Sequence, residues 1–313
     1  MRGPHVVVAG AGAMGCLFGG LLSENGLRVT LLARREEHVA AIRERGLRIV
    51  GEGGARHVPI GAATSTAGVA PADIVFIQCK AHATQAVSES IAPLMVPGSV
   101  AVSFQNGLGN EDVMAQVLGS EAVLGGLTSL GATLEAPGVV RSYATLPTVI
   151  GEMSGGLSPR AEALAALLTA HGLPTSASDD ILTEKWRKLM LNVAMSATSG
   201  LTGLTIGGVA GLASLAAVAR RAMDEAAAVA EASGISLPNE TRYQVFDGIV
   251  DSGAARNKTS MRRDIEAGRP SEVEAIYLSV IERGRDRAVP TPTLEALSAL
   301  VIGLEAARRA DGG

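Results

Sequence analysis

Val6-Val7-Val8-Ala9 runs directly into Gly10-Ala11-Gly12-Ala13-Met14-Gly15, so an apolar strand opens onto G-x-G-x-x-G and a helical pattern follows. That order is what a dinucleotide site requires. Gly10 permits a tight turn after the strand, Gly12 lets the backbone approach a pyrophosphate, and Gly15 lets the new helix pack on the sheet. The helix start then offers free N–H groups and a partial positive charge to phosphate. The next strand, Arg28-Val29-Thr30-Leu31-Leu32, ends in Ala33-Arg34-Arg35. A chain that binds NAD carries Asp or Glu there, for the ribose 2′-hydroxyl; arginines suit a 2′-phosphate instead. The expected cofactor is therefore NADPH/NADP+, held by Gly10, Ala11, Gly12, Ala13, Met14 and Gly15, with Arg34 on the 2′-phosphate.

Outward from this stretch, strands and helices alternate through the first half. Asp73–Ile77 and Ser99–Phe104 are nearly continuous apolar runs, of the kind buried on both faces of a parallel sheet. The alternation predicts an α/β fold with a doubly wound, Rossmann-type sheet. Leu47–Val50 and Val58–Ile60 read as short strands. The Gly- and Thr-rich stretch from Ala122 to Glu152 reads as the far, partly antiparallel edge of that sheet. From Asp179 onward the pattern is helical. Helices are expected at Ile181–Thr198, Leu212–Ala232, Thr241–Ile249, Ser271–Arg283 and Leu294–Arg309, the fourth stopped by Gly284. The expected domains are 1–177, binding the cofactor, and 178–313, all-helical.

The 313 residues, 47% hydrophobic and 19% charged, are enough for two packed cores. A net charge of −4 with 3% aromatics argues against nucleic-acid binding. The N-terminus enters the first strand at once, and no long unbroken apolar run occurs, so no signal peptide or membrane span is expected and the chain reads as cytoplasmic. Cys16 and Cys79 form no C-x-x-C and are read as small buried residues; the five histidines have no metal-ligand spacing. The apolar, Ala-rich faces of the helical half leave room for a homodimer.

Three further groups bear chemistry. Lys80 and Asn106 follow the two apolar runs, where ligands bind in open α/β sheets, although a solvated lysine and an Asn-Gly turn explain them equally. Lys188 and Asn192 are i and i+4, with Ser196 continuing the face. A lysine among Leu189, Met190 and Leu191 suits a desolvated acid–base group, or else a surface stripe in which Glu184 pairs with Lys188. Glu272 opens a helix after Ser260-Met261-Arg262-Arg263-Asp264, either as a functional acid or as a charge complementing the helix dipole.

Taken together, these segments resemble the ketopantoate reductase (2-dehydropantoate 2-reductase) family over nearly the whole chain. The markers are Gly10–Gly15, Arg34, Cys79-Lys80-Ala81, Gln105-Asn106-Gly107-Leu108-Gly109-Asn110, Gly131-Ala132-Thr133, Pro137-Gly138-Val139-Val140, Glu184-Lys185-Trp186-Arg187-Lys188-Leu189 with Asn192, Ser260-Met261 with Asp264, and Ser271-Glu272-Val273-Glu274. The resemblance implies a C-terminal domain like that of 6-phosphogluconate dehydrogenase. It further implies NADPH-dependent reduction of 2-dehydropantoate to (R)-pantoate. On that pattern Lys188 is the general acid, and Glu272 holds the lysine or the substrate hydroxyl. Asn192 and Ser260 contact substrate, Asn106 lies between nicotinamide and substrate, and Lys80 joins Arg34 on the 2′-phosphate side.

The sequence also departs from the pattern. Ser196 stands in the substrate site where a second asparagine is usual. Tyr277 and Leu278 replace the Asn-Gly of E-I-D-x-x-N-G and are expected to add bulk at the lip of the cleft. Arg141-Ser142-Tyr143 replaces a His-Thr-Gly-like segment. The alternatives are a reductase of another, bulkier 2-oxo acid, or a non-catalytic NADPH-binding sensor.

Overall fold

The computed structural model describes residues 3–144, 147–250 and 253–311. The chain divides into two compact units, Met1–Gln105 with Asn110–Leu182, and Asn106–Gly109 with Thr183–Gly313.

In the first unit β1 (His5–Ala9), α1 (Ala13–Glu24), β2 (Arg28–Leu32), α2 (Glu36–Arg45), β3 (Leu47–Gly51), β4 (Gly54–Val58), β5 (Gly61–Ala63) and β6 (Ala72–Ile77) are followed by α3 (Thr84–Ile91), β7 (Met95–Ser103), α4 (Asn110–Leu118) and β8 (Val123–Thr128). Then come β9 (Gly131–Ala136), β10 (Val139–Ala144), β11 (Thr148–Gly151), α5 (Pro159–Ala170) and β12 (Thr175–Ser178). The main sheet has the order β12-β11-β8-β7-β6-β1-β2-β5. Its pairings are parallel except β8 with β11. The order reverses at β1 and β6, which places the ligand-binding crevice of such sheets beyond their carboxyl ends. Val6, Val7, Val8, Val75, Phe76 and Ile77 are fully buried, as expected of strands covered on both faces. Phe18, Phe76 and Phe104 pack edge-on and tilted beneath α1, with centroids 4.9–6.0 Å apart.

The stretch expected at the sheet's far edge divides instead. β8 and β11 extend the main sheet, whereas β9 and β10 leave it and build a second sheet, β4-β3-β10-β9. The cause lies in the side chains of β3 and β10. Leu47, Ile49 and Val140 are fully buried while Arg48 between them is exposed. This one-sided alternation suits a sheet with a single covered face. The covering element is α1. A Cβ at Gly20 would lie 2.6 Å from Ile49 and 2.9 Å from Leu47. The Val58–Ile60 strand is likewise displaced, β4 ending at Val58 and β5 starting at Gly61.

The second unit is helical: α6 (Ile181–Thr202, belonging to it from Thr183), α7 (Ile206–Gly211), α8 (Ala213–Ala232), α9 (Asn239–Asp247), α10 (Ser260–Glu266), a π-turn over Glu274–Leu278 leading into α11 (Ser279–Asp286), and α12 (Pro292–Asp311). α8 buries Ala219, Ala222, Met223, Ala226, Ala227 and Ala230, a row at helical spacing. Its Glu225 carboxylate accepts from the Thr293 and Leu294 N–H groups, both at 2.9 Å, and so caps α12. Two short helices, α7 and α10, were not apparent in the periodicity; their caps, Thr205 and Thr259, accept from Gly208 N and Arg262 N. Gly284 does not stop a helix, since α11 runs through it to Asp286. It is instead a packing position, where a Cβ would meet Val289 O at 2.9 Å and Val229 at 3.2 Å. Among the described residues no helix is long and apolar enough to cross a membrane, and no group of His, Cys, Asp and Glu is arranged to hold a metal.

Candidate active site

The glycine turn in the first unit is shaped for close approach. Gly10 has φ +109°, and a Cβ there would lie 2.6 Å from Cys79 N and from Gln78 C. A Cβ on Gly15 would lie 2.2 Å from Gly10 O. Gly12, in contrast, faces open space. Gly10 N and Ala11 N both donate to Leu32 O, at 3.1 and 2.8 Å, which fixes the turn on β2. Helix α1 starts at Ala13 with no side-chain cap on Gly12, leaving the Ala13, Met14 and Gly15 amides at an uncapped positive helix end.

Arg34 follows β2, is exposed, and makes no side-chain bond among the described residues, whereas Arg35 is engaged by Glu37 at 3.1 Å. Lys80 is half-buried at the head of the turn Ala81–Ala83 after β6. Gln78, at the same strand end, has a buried Nε2 without a partner among the described residues. Sequence reading passed over it; the signal was a lone amide directly after the apolar run Asp73–Ile77. An open Gly12, an uncapped helix start and an unpaired guanidinium after β2 fit a dinucleotide bearing a 2′-phosphate.

Cys16 is buried as expected, but Cys79 is only half-buried. Cys16 belongs to a relay beside the glycine turn. Gly138 N donates to His38 Nδ1 at 3.0 Å, His38 Nε2 lies 3.4 Å from Cys16 Sγ, and Cys16 Sγ donates to Ala11 O at 3.4 Å. Because Nδ1 accepts, the His38 proton sits on Nε2. Burial pushes the Cys16 thiol up to about 12 and keeps it protonated.

The second unit joins three of the candidate polar residues by hydrogen bonds. Lys188, on α6, donates through Nζ to Asn106 Oδ1 at 2.9 Å. Asn106 Nδ2 in turn donates to Glu272 Oε2 at 3.0 Å. The amide thus turns its oxygen to the ammonium and its nitrogen to the carboxylate. Asn106 is held there by its own loop: Leu108 N donates to Ala275 O at 3.0 Å. Gly107 has φ +81°, and a Cβ on it would lie 2.1 Å from Ala275 O, so only glycine permits the approach. The Ala275 carbonyl belongs to the π-turn that begins just after Glu272.

Burial lowers the Lys188 pKa from 10.5 to about 8; neighbouring Lys185 pushes the same way, and Glu272 opposes. Lys185 is itself buried, and Glu184 pairs with Arg187 at 2.7 Å rather than with Lys188. One turn along α6, Asn192 has a buried Nδ2 with no partner among the described residues, and Ser196 beyond it is buried. The row ends at Gly200, where a Cβ would lie 2.9 Å from Ile265 and 3.6 Å from Met261 of α10. Ser260, at the first position of α10, is exposed and makes no side-chain bond among the described residues. Hydrogen bonds therefore join Lys188, Asn106 and Glu272, α6 adds Asn192 and Ser196 in sequence, and Ser260 stays outside the network.

Tyr277 is not bulk at a lip: it is fully buried, and Leu278 is half-buried. The Tyr277 hydroxyl accepts from Ala197 N at 2.9 Å and donates to Val193 O at 2.8 Å, both on α6. In β10, Arg141 binds Glu135, and Tyr143 donates to Thr133 at 2.9 Å, so these two substituted residues make bonds within the small sheet.

Comparison with known proteins places the chain in a family. The family model described as ketopantoate reductase PanE/ApbA matches residues 6–155, and its C-terminal counterpart matches residues 180–305. A 2-dehydropantoate 2-reductase of Halobacterium salinarum is 33% identical over 298 residues, covering 95% of this chain and 97% of the relative. Among solved structures, a PanE/ApbA family ketopantoate reductase from Ralstonia eutropha JMP134 is 30% identical with a TM-score of 0.90, covering 97% of this chain and 99% of that one. A D-mandelate dehydrogenase solved with NADH and anilino(oxo)acetate is 25% identical with a TM-score of 0.93, at the same coverage. With both parts of the family model matched and the full-length relative beside them, the chain belongs to the ketopantoate reductase PanE/ApbA family.

Proposed function

We propose that this chain reduces 2-dehydropantoate to (R)-pantoate with NADPH, a step of pantothenate biosynthesis. The observation that carries the reading is the Lys188–Asn106–Glu272 array, in which a desolvated ammonium is held by an amide that a carboxylate orients. The Ala13–Gly15 amides would hold the pyrophosphate and Arg34, with Lys80, the 2′-phosphate. NADPH, when bound, supplies the hydride that reduces the carbonyl carbon.

The chain's own residues do the rest. As the carbonyl is reduced, negative charge develops on its oxygen, and Lys188 donates a proton there. A pKa of about 8 leaves the lysine largely protonated at neutral pH yet close to the point of release. Glu272 favours the ammonium through its charge, and Asn106 fixes where the ammonium points. The unpaired Asn192 Nδ2 is a donor for the substrate's oxygens. Ser196 follows on α6, and the family resemblance alone suggests Ser260 for the substrate's carboxylate.

A second reading is a reductase of a bulkier 2-oxo acid. It is favoured by Ser196 in place of asparagine and by the fold-level likeness to D-mandelate dehydrogenase. NADPH oxidation measured with 2-dehydropantoate and with phenylglyoxylate decides between them. A higher kcat/KM on 2-dehydropantoate supports the first reading, and a preference for the aryl acid the second. Tight NADPH binding without turnover of either acid would leave only a sensor.

A further inference from the structure

Lys188 lies on α6 and Glu272 in the bend that leads into the π-turn, and these two segments are joined twice. One link is Lys188–Asn106–Glu272. The other is Tyr277, whose hydroxyl accepts from Ala197 N at 2.9 Å and donates to Val193 O at 2.8 Å. Val193 C=O and Ala197 N–H are the two partners of a single i→i−4 step of α6. A side chain that enters such a step bends the helix locally. This step begins directly after Asn192, whose buried Nδ2 has no partner among the described residues, and it contains Ser196. Tyr277 itself sits in the π-turn Glu274–Leu278, which starts just after Glu272 and whose Ala275 carbonyl holds the Asn106 loop. The side chain is fully buried, and burial raises the phenol's pKa, so the hydroxyl keeps its proton for Val193.

We infer that Tyr277 is a positioning residue: its hydroxyl sets the α6 turn that presents Asn192 and Ser196 to the substrate, in register with Lys188 and Glu272. The inference rests on the reading of this unit as the site that holds a 2-oxo acid. Without the hydroxyl, Val193 and Ala197 pair only with each other, and the turn tightens. Asn192 and Ser196 then shift while Lys188, a turn earlier and tied to Asn106, stays in place. The substitution should therefore act on substrate binding more than on proton transfer.

The test is Tyr277→Phe in the full chain, with steady-state kinetics, NADPH binding and thermal unfolding measured beside wild type. The expected result is a KM for the 2-oxo acid raised about tenfold or more, with kcat within about threefold and NADPH affinity unchanged. A merely structural tyrosine would lower the melting temperature and the active fraction, reducing kcat at constant KM; that result overturns the inference. If Tyr277→Phe does not fold, 4-aminophenylalanine at 277 keeps the ring and the bond to Val193 but accepts poorly from Ala197; an unchanged KM there overturns it equally. Wild-type turnover separates the two levels: no reduction of any 2-oxo acid removes the functional reading and this inference with it. Turnover with an unaltered KM in the variants removes only the role of Tyr277.

Discussion

Lys188 and Asn106 meet at 2.9 Å, the ammonium against the amide oxygen, and the far side of that amide is bound to a carboxylate. The pairing ties the orientation of the proton donor to a residue outside its own helix. Lys188→Ala should lower kcat/KM by about 10²–10⁴, the usual worth of a positioned general acid. In the wild type kcat/KM should fall as pH rises through about 8, where Lys188 loses its proton. An alkaline limb unchanged in a residually active Lys188→Ala enzyme would remove the lysine from the mechanism.

Lys185 offers a finer test. Its charge is one of two effects lowering Lys188, while Glu272 raises it. Lys185→Met should move the alkaline limb to higher pH, and Glu272→Gln should move it lower. The measurement is the pH dependence of kcat/KM for the two variants side by side. Shifts in the same direction would contradict the arrangement.

For the cofactor, Arg34→Ala should weaken NADPH binding by roughly 1.5–3 kcal/mol, about 10- to 150-fold, and leave NADH nearly unaffected. Fluorescence titration with both cofactors measures this. Equal wild-type affinity for NADPH and NADH would refute a 2′-phosphate contact at Arg34.

His38 predicts an acid-sensitive sheet unit. Burial and Arg35 lower its pKa below 6.5, so the folded chain binds that proton less readily than the unfolded one. Stability from this group is complete above about 6.5 and is lost as pH falls from there to the lower folded value. Protonation would also expel the Gly138 N–H from Nδ1. Thermal unfolding between pH 7 and pH 5 should show a destabilisation that shrinks in His38→Gln.

The sequence made the main sheet legible because β1, β6 and β7 are apolar on both faces and the glycine turn has a fixed grammar. It made Lys188 and Asn192 legible as neighbours because helical spacing alone puts them together. It did not reveal the second sheet, since short strands such as Val139–Ala144 pair with β3, far away in the chain, and the local pattern cannot say with which partner. It misplaced Tyr277 for a related reason. A tyrosine in a helical run reads as surface or rim until the backbone groups it reaches, 80 and 84 positions earlier, are known. For Gln78 the sequence shows a lone amide after an apolar run, but that its Nε2 is unsatisfied is visible only when its surroundings are.

The residues Asn106–Gly109 lie between β7 and α4 in sequence yet belong to the helical unit. The helical half is therefore not a transplantable module. A polypeptide cut to Thr183–Gly313 would lack the acceptor for Lys188, the donor to Glu272 and the amide that binds Ala275. Fusing that half to another nucleotide-binding sheet would carry over the lysine without its aim, unless a matching Asn-Gly loop came with the new sheet.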